Sequence, residues 1–133
     1  ELITGAEKTV LRPLDILLGF TVPAFPQKAE SHYYKLGFRK QVSISRFGVA
    51  MILQRTQGIV EQADIAIGAI GAKAIRMPEL ERALVGHLAD RSSADVLGDL
   101  LADYIRNTSR RQYKAWAARG VMEDALALFA QNN

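Results

Sequence analysis

The hydrophobic pattern of this 133-residue chain changes period once, near Gly71, and that change narrows the folds open to it. Before Gly71, apolar residues fall in short runs and alternations suited to strands. After it they recur at helical spacing. Strands grouped ahead of helices argue for α+β layers rather than a βαβ fold, here an antiparallel sheet of about four strands followed by three helices packed as a layer. One domain over residues 1–133 is expected, with 1–30 as lead-in strands, 31–71 as the sheet core and 77–131 as the helical layer.

Thr9-Val10-Leu11 and Ile16 to Val22 read as short strands joined by a turn at Arg12-Pro13, and Pro23 and Pro26 bracket a connection. A strand through Tyr33 to Leu36 is expected to end or bulge at Gly37. From Val42 to Leu53 the residues are apolar on both faces. Val42, Ile44 and Ile52 fall on one side, with Phe47, Val49, Met51 and Leu53 on the other, which predicts a central strand. Thr56-Gln57-Gly58 supplies a hairpin turn into Ile59 to Ile70, where Ile59, Ala63, Ile65, Ile67 and Ala69 share the apolar face. Pro78 suits a first helical position, with Glu79 and Glu81 at the positive end of the helix dipole and Leu80, Leu84 and Leu88 on one face. Ser92 or Ser93 is the expected cap of a second helix, whose stripe is Val96, Leu97, Leu100, Leu101, Tyr104 and Ile105. Ser109 opens a third, with Tyr113, Trp116, Ala117 and Gly120 inward, Leu126 and Phe129 continuing, and Gly120 as a point of bending.

Composition removes several chemistries. The chain has no cysteine, so disulfides, thiolate nucleophiles and iron–sulfur ligation by its own residues are excluded. His32 and His87 are its two histidines, too few for a protein-held zinc site. No apolar run reaches about 18 residues, so no membrane span is expected. No signal-peptide pattern opens the chain, and a cytoplasmic location is expected. The net charge of +3 is uneven: residues 1–60 carry eight Lys and Arg against four acids, residues 61–133 nine against ten.

That basic excess centres on Tyr33-Tyr34-Lys35-Leu36-Gly37-Phe38-Arg39-Lys40, a run able to offer ring faces and positive charge to a flat, anionic ligand. Other candidates have plainer readings. Gly68-Ala69-Ile70-Gly71-Ala72 lacks both the dinucleotide glycine spacing and the P-loop lysine, and reads as a strand-to-helix exit. Asp64 with Glu61, or Glu79 with Glu81, has no second catalytic group and reads as solvated. Arg106, Arg110, Arg111, Lys114 and Arg119, beside Tyr113 and Trp116, would form a nucleic-acid patch only if unpaired. Asp95, Asp99 and Asp103 are placed to pair with them, and no nucleic-acid partner is expected. His32 and His87 read as a strand-edge and a helix-surface residue.

Several segments together resemble the C-terminal domain of the FAD-binding subunit of molybdenum hydroxylases, the xanthine dehydrogenase and carbon monoxide dehydrogenase flavoprotein family. They are Leu2-Ile3-Thr4-Gly5 with Lys8-Thr9-Val10-Leu11; Asp15 to Pro23; Tyr33-Tyr34-Lys35 with Arg39-Lys40, Ile44-Ser45 and Val49-Ala50; Ala66-Ile67-Gly68-Ala69 through Arg76, Glu79, Glu81 and Leu84-Val85-Gly86; and Ser109 to Tyr113. The resemblance implies a β-then-α sandwich enclosing FAD, which relays electrons from iron–sulfur clusters to an acceptor. It implies cofactor contact by Leu17 and Lys35, with Arg39 and Lys40 as a nearby basic pair. Molybdopterin and 2Fe-2S clusters would belong to partner subunits. Leu14 stands where the family usually has the first of two acids, leaving Asp15 alone. The family's glycine-rich loop for the FAD pyrophosphate has no counterpart here, so residues 1–30 would lead in from a missing FAD-binding domain. The chain alone is therefore expected to bind FAD weakly or not at all. The alternative is a non-catalytic interaction domain docking a protein through its helical layer.

Overall fold

The computed structural model describes residues 2–39, 42–109 and 111–130. Its core is an antiparallel sheet in the order β3-β4-β5-β6, formed by β3 (Ala29–Leu36), β4 (Phe47–Thr56), β5 (Ile59–Gly68) and β6 (Ile75–Arg76). Ahead of it, β1 (Ile3–Gly5) and β2 (Lys8–Thr9) make a separate two-stranded ribbon. One face of the sheet is covered by α1 (Pro78–Leu84), α2 (Arg91–Thr108), a 3₁₀ turn (Gln112–Ala117) and α3 (Ala118–Ala130). This is the α+β sandwich that the order of periodicities predicts.

The β4–β5 hairpin turns through Gln57 and Gly58, both with positive φ (52° and 82°). That pairing matches a two-residue turn whose twist suits antiparallel strands. Residues of odd number on β4 (Phe47, Val49, Met51, Leu53) are buried, as the alternation requires. On β5 the parity switches. Gln54 pairs with Gln62 and Arg55 with Val60, so Glu61 is an extra residue in the ladder. This bulge turns Val60 inward and leaves Ile59 39% exposed, which corrects the expectation for Ile59. At the far end Ala69 takes a positive φ of 65°, and Ile70 is the buried residue in its place.

In the helical layer, Ala94, Leu97, Leu101 and Ile105 of α2 and Ala118, Val121, Met122, Ala125 and Phe129 of α3 are buried. Asp90, not a serine, caps α2 by accepting from the Ser93 N–H at 3.0 Å, while the Ser93 hydroxyl donates to the Leu88 carbonyl. Val96 lies outside the stripe at 51% exposure, and Leu88, beyond the end of α1, is half exposed.

Two strand expectations fail. Ile16 to Val22 forms no strand, and residues 42–46 are irregular, so β4 starts at Phe47. Val42 and Ile44 are exposed, their alternation having no partner strand to bury it. The third helix also opens differently. Its first turn is 3₁₀, with three residues per turn, which shifts the inward stripe to Lys114, Ala115 and Ala118. Tyr113 and Trp116, expected inward, are exposed, as is Gly120, and the break in the helix falls between Ala117 and Ala118.

Candidate functional site

Two surfaces meet at the C-terminal end of β3. The first is the sheet face turned away from the helices. Side chains alternate along β3, so His32 and Tyr34 face the helical layer, where His32 packs edge-on against Phe129 and the Tyr34 hydroxyl donates to Asp124 at 2.6 Å. Tyr33 and Lys35 therefore leave from the opposite, open face, and both are exposed. Across the sheet, Lys35 is opposite Gly48 and Tyr33 opposite Ala50, while Gly48 and Ala50 pair with Gly68 and Ala66. The result is a shelf of small residues beside one cation and one phenol ring. A side chain at Gly48 would come within 2.7 Å of the Tyr33 hydroxyl, so the tyrosine lies across the shelf.

The second surface is the loop after β3. Its base is closed by the Arg46 N–H donating to the Leu36 carbonyl at 2.7 Å. Inside it, Arg39 Nε donates to the Val42 carbonyl at 2.8 Å, and the Arg46 guanidinium stacks 3.9 Å from the Phe38 ring centre. Lys114 reaches the loop from the 3₁₀ turn. It is 3% exposed, and its Nζ donates to the carbonyls of Arg46 and Ala69. Burial, then the nearby charges of Arg111 and Arg46, holds its ammonium below the usual lysine value.

Of the residues singled out from sequence, Lys35 and Arg39 are exposed and close along the chain, at the end of β3 and in its loop. Lys40 lies outside the described residues, as does Arg110. Leu17 is 46% exposed in the irregular segment between β2 and β3. No strand carries it alongside Lys35, because β3 is an edge strand with β4 as its sheet neighbour.

The proposed basic patch dissolves into separate environments. Arg119 pairs with Asp99 at 2.7 Å and lies 3.9 Å from Asp95, and Arg106 pairs with Asp103, as the acid spacing on α2 predicts. Lys114 is in the core. Of the acids at the start of α1, Glu79 is exposed, as expected, and Glu81 is not. Glu81 is 7% exposed and accepts from the Ile65 N–H and from Arg76, which also pairs with Asp64. Burial alone would raise the Glu81 pKa, but the Arg76 hydrogen bonds and the Ile65 N–H outweigh it and hold the carboxyl below its usual value. His87 sits in the turn after α1, not on a helix surface.

Arg46 enters none of the sequence readings, and Lys114 enters them only within the proposed nucleic-acid patch, not as a buried residue. For Lys114 a signal existed: it stands four residues before Ala118, in phase with Met122, Ala125 and Phe129, an inward stripe that begins with a lysine. For Arg46 none did, because only the closure of the loop places it.

The family model for the CO dehydrogenase flavoprotein C-terminal domain matches residues 32–128. Among solved structures, quinoline 2-oxidoreductase from Pseudomonas putida 86 is 21% identical, with a TM-score of 0.79 over 98% of this chain and 46% of that one. Reconstituted CO dehydrogenase from Oligotropha carboxidovorans is 19% identical, with a TM-score of 0.76 over 93% of this chain and 44% of that one. Carbon monoxide dehydrogenase from Hydrogenophaga pseudoflava, in a form lacking the Mo-pyranopterin moiety, is 23% identical, with a TM-score of 0.69 over 95% of this chain and 45% of that one. The chain thus spans less than half the length of each. A search of curated protein sequences gave no match.

Proposed function

The chain belongs to the CO dehydrogenase flavoprotein C-terminal domain family, and from that premise we propose that it forms one wall of an FAD site in a molybdenum-dependent, xanthine dehydrogenase-like oxidoreductase. The observation that carries this reading is the exposed Lys35 beside the Gly48, Ala50, Ala66 and Gly68 shelf. Small residues leave a flat surface, and the ammonium supplies positive charge at its edge. These residues fit one side of a flat, anionic ring system. They include no glycine-rich turn for a pyrophosphate, so the rest of such a site must come from other residues.

When bound, FAD supplies two-electron storage between iron–sulfur clusters and an external acceptor. The chain's own residues bind and tune. Lys35 would hold a positive charge beside such a ring; two opposite unit charges about 4 Å apart attract by up to ~4 kcal/mol at an effective dielectric near 20, which would favour electron uptake. Arg39 and Lys40 add to the same field. Leu17 contributes apolar surface that excludes water, once its segment is seated against the site. Molybdopterin and iron–sulfur subunits are the proposed partners, and the substrate is selected on them.

The test compares the chain expressed from Glu1 with the protein expressed from the start of its gene, by flavin absorbance after purification. Flavin held only by the longer protein, and lost or shifted to a lower potential on Lys35→Ala, is the expected result. Tight stoichiometric flavin on the 133-residue chain, or a longer protein without flavin, would refute it. A second reading, an interaction domain docking through its helical layer, is favoured by Trp116, which stands 91% exposed there. Absence of flavin from both proteins together with partner binding lost on Trp116→Ala would select it.

A further inference from the structure

The cavity between the loop after β3 and the 3₁₀ turn measures about 930 Å³, within the range of small-molecule sites. Four cations line it: Arg39, Arg46, Arg111 and Lys114. Among its described lining residues there is no carboxylate. That is unusual for this molecule, in which Arg12, Arg55, Arg76, Arg91, Arg106 and Arg119 all hold an acid. Arg46 Nε is buried with no acceptor among the described residues. Its neighbour Nη1 reaches the Tyr113 hydroxyl, at 3.5 Å.

We propose that this cavity binds a phosphate group, free or carried by a nucleotide. An oxyanion is the ligand whose chemistry answers each feature. It accepts from a guanidinium fork, as phosphate does with bidentate arginine. It supplies the counter-charge that none of the described lining side chains provides. The Ser43 and Ser45 hydroxyls at the cavity wall add donors. The site is also held in shape: Lys114 is tied to two carbonyls and Arg46 is stacked on Phe38, so the charges cannot swing apart to relieve their repulsion. Burial first, and then the positive charges of Arg111 and Arg46, hold the Lys114 ammonium below its usual value. This inference does not rest on the flavin reading. Lys35 does not line the cavity and leaves β3 on the other face of the sheet; only Arg39 is common to both.

The test is calorimetric titration of the 133-residue chain at low ionic strength, with inorganic pyrophosphate and, separately, with adenosine diphosphate. Saturable one-site binding of at least one of them is expected. Arg46→Gln and Arg111→Gln should each weaken it roughly tenfold or more, the loss of one charge-assisted hydrogen bond. Arg106→Gln, outside the cavity lining and paired with Asp103, should leave it unchanged. Tighter adenosine diphosphate identifies a nucleotide site; equal or better pyrophosphate identifies a phosphate site. Arg111 is exposed and its side chain makes no hydrogen bond among the described residues, so that variant keeps the fold and the test stays decisive even where Arg46→Gln unfolds. No heat from either ligand at millimolar concentration, binding that Arg111→Gln leaves intact, or equal weakening by Arg106→Gln would overturn the proposal.

Discussion

Tyr34 shows how one side chain can join the sheet to the helical layer. Its hydroxyl donates to Asp124 on α3 at 2.6 Å. Burial first, then the hydrogen bond and negative charge of Asp124, pushes the phenol up from 10.0 to about 12. A raised folded-state value means the neutral phenol is favoured by folding. Its contribution to stability is complete below pH 10.0 and is lost as pH rises through about 12. Titration followed by phenolate absorbance should therefore show a late step near pH 12 that disappears in Tyr34→Phe. The same substitution should cost about 1 kcal/mol at neutral pH, read from urea melts, since the bond is to a charged acceptor but partly solvated. A Tyr34→Phe protein that keeps the late step would refute the assignment.

Between elements, the tightest constraint is the contact of α2 with α3. A Cβ at Gly98 would stand 2.6 Å from the Arg119 Cα, a backbone atom that cannot swing aside. Two effects oppose each other on Gly98→Ala. Helix propensity favours alanine by about 1 kcal/mol. Prising the helices apart costs typically 1–3 kcal/mol in a packed layer. The clash is with backbone, so packing wins, and a net loss of up to about 2 kcal/mol is expected in thermal or urea unfolding. A stabilised Gly98→Ala would show that the helices are free to separate. The same two helices carry surface charges in pairs, with Arg119 on Asp99 and Arg106 on Asp103, so these two arginines offer little free charge to a polyanion.

At the scale of the molecule, the segment between β2 and β3 is set apart from the core. Leu14, Ile16, Leu18, Phe20 and Val22 are each at least 77% exposed. They fall at every second position, as on one face of a strand, yet no strand forms there. Apolar surface of this extent marks a contact region. Because the core does not use it, replacing Leu14, Leu18 and Phe20 together with serine should change unfolding free energy by no more than about 0.5 kcal/mol. Self-association seen by light scattering should fall. A large drop in melting temperature would mean that the segment packs on the core after all.

Much of this organisation is legible in the chain itself. The order of periods gave the layers, Gln57-Gly58 gave the hairpin, and the aspartates of α2 gave partners for Arg106 and Arg119, because each depends on neighbours a few residues away or on one helix face. What lay beyond the sequence depends on phase and closure. The Glu61 bulge exchanges Ile59 for Val60, and the 3₁₀ turn moves Lys114 inward and Trp116 outward, since a single residue of slip reverses a strand's faces and three residues per turn rotates a helical stripe. The cation cavity exists only because the loop after β3 closes through Arg46 and Leu36 and meets a helix 67 residues further on, at Tyr113. Local pattern decides which way a segment is periodic; only packing in three dimensions decides where that period starts.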